Sequence, residues 1–116
     1  MNIQTIIEYC LNKKGAVEDF PFDEETLVIK VRGKMFVLIP LEKIPLQINL
    51  KCDPEKAIEL REQYEDVRPG WHMSKKYWNT VILDGDIRWG ELKEWIDHSY
   101  DEVVKKLKKS EREKLA

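Results

Sequence analysis

Two cysteines and two histidines are all that this 116-residue chain offers to thiol, metal or imidazole chemistry. Cys10 and Cys52 lie far apart, form no C-x-x-C and have no neighbouring histidine. They are expected to be reduced thiols packed as small hydrophobes. His72 and His98 would need additional acids or cysteines to complete a zinc site, so no metal and no cofactor is expected. There is no H-E-x-x-H, no P-loop and no Rossmann fingerprint, and no enzyme activity is expected. The five glycines read as turn, boundary or packing positions. No apolar run approaches the roughly 18 residues of a membrane span. The N-terminal MNIQTIIEYCLNKK has neither a basic leader before an apolar block nor a small-residue cleavage site. A cytoplasmic protein with no membrane partner is therefore expected. An excess of positive charge is missing too. Twenty basic against 22 acidic residues give a formal net charge of −2, whereas a dedicated nucleic-acid binder shows a basic patch or stripe.

What is present is a composition, 42% hydrophobic and 36% charged, that folds without metals or disulfides. The length predicts one domain over residues 1–116, burying about two thirds of the surface that its unfolded form exposes. Charge is unevenly spread. Glu18 to Glu25 carries five acids and no base, Lys30 to Lys51 five bases and only Glu42, and Lys105 to Ala116 six bases and two acids. A dipolar surface results if the fold brings the basic segments together.

Ile3, Ile6, Ile7, Cys10 and Leu11 recur at helical spacing and predict a first helix over 3–11. Residues 16–20 read as a short extended piece ended by Pro21. Thr26–Val31 and Lys34–Ile39 are β-branched runs flanking Arg32-Gly33, the signature of a two-residue hairpin. Leu46–Lys51 predicts a third strand, with Leu46, Ile48 and Leu50 inward and Gln47, Asn49 and Lys51 outward. Asp53-Pro54 suits a helix start, and the helix is expected to reach about Tyr64. Val67–Met73 and Tyr77–Leu83 read as two more strands. A last helix over about 88–107 has Trp89, Leu92, Ile96, Tyr100, Val103 and Leu107 as its core stripe. The charged tail at 108–116 is expected to fray. The order α-β-β-β-α-β-β-α predicts an α+β two-layer sandwich, an antiparallel sheet with helices on one side.

The block PGWHMSKKYWNTVILDG at 69–85 concentrates aromatic rings, an imidazole and two amines. Alternation along an extended 77–83 sends Tyr77, Asn79, Val81 and Leu83 one way and Trp78, Thr80 and Ile82 the other. One aromatic set is expected to pack on the last helix, beside Trp89 or Trp95. The remainder would be a platform in which lysines meet phosphate or carboxylate and rings stack. Lys30, Arg32, Lys34 and Lys51 supply a second basic face, which becomes a single positive patch if Lys75 and Lys76 lie nearby. The candidate ligand or nucleic-acid surface is thus Lys30, Arg32, Lys34, His72, Lys75, Lys76, Trp78 and Asn79.

These stretches resemble the MmcQ/YjbR family of small bacterial proteins. The likeness runs through KKGAVEDFPF at 13–22, LVIKVRGKMFVL at 27–38, INLKCDPEKAIELRE at 48–62, the 69–85 block and SYDEVVKKL at 99–107. It implies a two-layer α/β fold akin to secretion-chaperone-like and CyaY-like arrangements. It also implies a DNA-binding role, the label the family commonly carries. The family's usual HMNKKHW reads HMSKKYW here; Ser74 and Tyr77 replace an amide and a second imidazole, which argues against paired-histidine chemistry. Three readings follow. The first is a non-enzymatic DNA-binding protein that contacts phosphate through basic and aromatic residues. The second is an adaptor that binds another protein or a second copy of itself. The third is a small-ligand site around His72.

Overall fold

The computed structural model describes residues 1–115. Its elements run α1 (Ile3–Leu11), β1 (Ala16–Asp19), β2 (Thr26–Val31), β3 (Lys34–Pro40), β4 (Gln47–Lys51), α2 (Pro54–Gln63), β5 (Val67–Pro69), β6 (Trp78–Ile82), α3 (Trp89–Lys105) and α4 (Lys109–Glu113). The strands form one antiparallel six-stranded sheet in the order β1-β2-β3-β4-β6-β5. This is an α+β fold with an antiparallel sheet flanked by helices.

Local chemistry sets the boundaries. The Asn2 side chain accepts from the Thr5 amide and caps α1. Asp53 does the same for α2 through the Lys56 amide, with Pro54 in the first turn, where its missing N–H costs nothing. At the head of α3, Glu91 reaches back to the Arg88 amide at 3.1 Å, half of a capping box. Between β2 and β3, Arg32 and Gly33 both have positive φ, 48° and 80°. That pair of values is what a tight hairpin needs to match the strand twist.

The helix-facing side of the sheet holds the main core. Leu27, Ile29, Val31, Val37, Ile39, Ile48, Leu50 and Val81 pack there with Ile6 and Cys10 of α1 and Leu92, Trp95, Ile96 and Val103 of α3. Phe36 joins this core although simple alternation from Val37 would turn it away. Ile29 pairs with Val37 but Lys30 pairs with Met35, so Phe36 is the extra residue of a β-bulge. Its ring meets Tyr100 of α3 edge-on at 5.3 Å.

The opposite face is not bare. A cross-strand row of Asp19, Val28, Leu38, Asn49, Thr80 and Arg68 follows from the pairing register. Val28, Leu38 and Trp78 form a second buried cluster there, with Met35, Met73 and Tyr77 against it. The expected 67–73 strand stops at Pro69, and the chain folds back over this face through 70–77. Gly70 permits the fold-back: a Cβ there would sit 2.8 Å from the Cβ of Trp78.

The extended piece expected at 16–20 is the edge strand β1. Other expectations are corrected. Gln47 and Asn49 point away from the helices but are buried, because the face they occupy is covered. Trp78 packs on the sheet face away from α3, so no aromatic of the 71–79 block fills the α3 interface. Tyr9 and Tyr64 do so instead, edge-on to Trp89 and Trp95 at 5.4 and 5.0 Å. Within the charged tail, Lys109–Glu113 form α4, Arg32 Nε bonds Glu111 Oε2 at 2.7 Å, and Leu115 packs on the main core. Ala116 lies outside the described residues. No helix of the described residues is long and apolar enough to cross a membrane.

Both thiols are buried and free. Burial pushes Cys10 up to about 12 and Cys52 up to about 11, so neither is an activated nucleophile. His98 of α3 accepts the Asp53 amide on Nε2 at 3.1 Å. Desolvation, reinforced by Lys56, holds its pKa below the usual 6.5. An imidazole with a lowered folded value stabilises the fold fully above the unfolded value and loses that contribution as pH falls from there through the folded value. Urea unfolding is therefore expected to show lower stability at pH 5 than at pH 7.5, and His98→Gln should remove part of that dependence. Equal slopes for the two proteins would refute the assignment.

Candidate functional site

The site grows from a single hydroxyl. β3 and β4 are paired at Val37–Leu50 and Leu38–Asn49, and continuing the ladder would set Phe36 opposite Lys51. Ser99 of α3 takes that place. Its hydroxyl donates to the Phe36 carbonyl at 2.6 Å and accepts from the Lys51 amide at 2.9 Å. The bulge at Phe36 and this wedge part the two strands where β3 begins and β4 ends. The last turns of α3 close the gap.

The resulting cavity of about 230 Å³ is lined by Lys34, Lys51, Val103, Lys106 and Leu107. Tyr77 stands beside it, with Lys106 Nζ 4.6 Å and Lys76 Nζ 5.3 Å from its ring centroid. Lys34, Lys51 and Lys106 thus share one cavity, and Lys106 and Lys76 flank the neighbouring Tyr77 ring. Among the described residues, none of the four forms a salt bridge, whereas Lys13, Lys30, Arg32, Lys105 and Lys114 all do. The carboxylate of the neighbourhood, Glu102, is buried and pairs with Lys105. Desolvation first, then the charges of Lys106 and Lys34, lower the pKa of Lys51. Like charges held together over a partly desolvated amine are relieved by a bound anion.

The other sequence-predicted positions fall elsewhere. Lys30 Nζ pairs with Asp19 Oδ2 at 2.9 Å across the β1–β2 ladder, and Arg32 is held by Glu111. Lys75 Nζ donates to the Gly70 carbonyl at 3.2 Å and closes the 70–77 loop. His72 has φ 58° and packs its ring 4.0 Å from that of Trp71, on the covered face of the sheet. Trp78 and Asn79 are 6% and 2% exposed and are corrected from surface to interior. Asn79 Nδ2 donates to the Ala57 carbonyl at 3.3 Å, and its Oδ1 accepts from Arg61 Nε at 2.6 Å. Of the expected basic positions, Lys34 and Lys51 line the cavity and Lys76 lies against Tyr77. Lys106 and Tyr77 are added by the fold. The register that brings Lys51 toward Lys34 depends on Ser99, and no sequence pattern announces that role.

The ordered matches now extend over the whole fold. The family model for YjbR covers residues 11–102. The chain belongs to the YjbR family. The Escherichia coli (strain K12) protein YjbR is 34% identical over 115 residues, spanning 99% of this chain and 98% of the relative. Protein YyaQ of Bacillus subtilis (strain 168) is 28% identical over 112 residues, 84% of this chain and 93% of that one. Among solved structures, Deinococcus radiodurans protein DR2400 superposes with a TM-score of 0.92 at 38% identity, covering 98% of this chain and 87% of its own. A Pseudomonas syringae protein gives 0.71 at 30% identity, over 85% and 96%. The α+β fold of this chain is therefore shared with these solved structures.

Proposed function

We propose that this YjbR-family protein is a non-enzymatic nucleic-acid binder that holds backbone phosphate on the lysine cluster. One observation carries the reading: Lys34, Lys51 and Lys106 line one cavity, Lys76 lies at the adjoining Tyr77 ring, and among the described residues none of the four forms a salt bridge. Phosphate is the anion such a cluster fits, since lysines meet it as point charges and Tyr77 adds a ring beside them. The formal charge of −2 does not oppose this, because a local positive cleft focuses the field whatever the total. The family's DNA-binding label points the same way.

Fluorescence anisotropy with a labelled duplex at two or more salt concentrations tests it. Neutralising phosphates releases counterions, so the logarithm of the binding constant should fall with the logarithm of salt by about 0.9 for each phosphate engaged. The triple variant Lys34→Gln/Lys51→Gln/Lys106→Gln should bind more weakly on every sequence, with a slope shallower by roughly 2–3. Absence of salt-sensitive association at micromolar protein, or an unchanged slope in the triple variant, sinks the proposal.

A further inference from the structure

On the face of the sheet away from the helices, the 70–77 loop and the 20–25 loop leave a cleft of about 320 Å³. That volume is at the lower end of small-molecule sites, and its walls have their usual character, apolar with few polar groups. Phe22, Leu38, Pro40, Trp71 and Met73 supply the apolar lining. Phe22 and Trp71 are 60% and 56% exposed, a large apolar cost to carry in water with nothing between them. The indole of Trp71 is packed by His72 at 4.0 Å and by Lys43 Nζ at 4.5 Å from its centroid, so this wall is ordered in advance.

The floor carries a donor with nothing to donate to. The Trp71 amide donates to Thr80 Oγ1 at 3.1 Å. The Thr80 hydroxyl in turn donates to Asn49 Oδ1, 2.5 Å away. This relay fixes the amide plane. The Nδ2 hydrogens are left on the other side, where Asn49 lines the cleft. Asn49 is only 7% exposed, and among the described residues its Nδ2 has no protein acceptor. A fully buried polar atom without a partner does not occur among the described residues, so this donor reaches the cleft. A donor fixed in orientation at the floor of a largely apolar cleft is matched by an acceptor on a ligand.

The geometry points to a binding site for a flat heteroaromatic ring carrying a carbonyl, the size of a nucleobase, with its oxygen on Asn49 Nδ2 and its apolar faces against Phe22 and the Trp71–His72 wall. The site is separate from the lysine cluster. It recognises an uncharged ring, so its success or failure does not depend on phosphate binding.

Uridine and inosine are the probes, added at millimolar concentration to the 15N-labelled protein in high salt, where phosphate contacts are screened. The expected result is a saturable shift of the Asn49 side-chain amide and the Trp71 indole resonances. Asn49→Asp keeps an oxygen toward Thr80 but replaces the donor, and should weaken binding roughly tenfold or more. Trp71→Leu, at an exposed position that leaves the core intact, should weaken it as well, and circular dichroism verifies that both variants fold. A thymine homopolymer under the same conditions distinguishes sources. Equal or larger shifts at the same resonances mean that an unpaired base of a strand enters the cleft, and shifts with nucleosides alone mean a free ligand. No shift with either nucleoside, or undiminished binding in folded Asn49→Asp, overturns the inference.

Discussion

Trp78→Ala is expected to lower the unfolding free energy by about 3–5 kcal/mol, the usual cost of truncating a buried aromatic. The ring is 6% exposed and is the centre of the small cluster with Val28 and Leu38, against which Met73 and Tyr77 rest. Its removal leaves a cavity beneath the 70–77 loop. A domain of ordinary stability has only about 5–15 kcal/mol in total, so the loss is a large fraction. Equilibrium urea unfolding should show a lower midpoint with an unchanged slope. A loss below about 1 kcal/mol would mean that the cluster is not a core in its own right.

Arg61→Leu comes next, with an expected cost of about 3 kcal/mol. From α2 the guanidinium reaches across to the loop and β6. Nε donates to Asn79 Oδ1 at 2.6 Å, and Nη2 bonds the Trp78 carbonyl at 3.2 Å and the Lys75 carbonyl. Charge-assisted bonds of this kind are the stronger sort. Their loss strands Asn79, which at 2% exposure has no water to turn to. Arg61→Lys should recover little, since an ammonium cannot reproduce the planar fork. Hydrogen exchange of the 75–78 amides is the direct readout. Faster exchange there, with α1 and β2 unchanged, is the expected pattern, and uniform protection throughout would refute the clamp.

How far the sequence discloses this molecule depends on the range of the interaction. α1 is written in a run of five apolar residues at helical spacing, and its limits match residue for residue. The β2–β3 hairpin is written in Arg32-Gly33. Strand parity fails wherever a distant group intervenes. Phe36 turns toward α3 because of a bulge. Asn49 is buried because a loop some twenty residues later covers it. The lysine cluster is legible only in part: Lys34 and Lys51 group by sequence as one basic face, but Lys106, at the end of α3, joins them only through the fold. Arg61 reads in sequence as one more surface charge on a helix rich in Glu and Lys. Nothing local distinguishes it from Lys56 or Glu62; its role exists only once β6 lies beside α2.

The two outermost strands have a consequence for company. β5 is three residues long and closes with Pro69, and β1 is four residues long and ends in Glu18 and Asp19. A proline and paired acids at short margins are what proteins place where another chain must not add itself. Recruitment of an extended peptide alongside the sheet, the commonest way for such a surface to acquire a partner, is therefore disfavoured at both ends. The binding modes proposed above, at the cleft and the cationic wedge, do not lengthen the sheet, and even crowded copies have little template on which to polymerise.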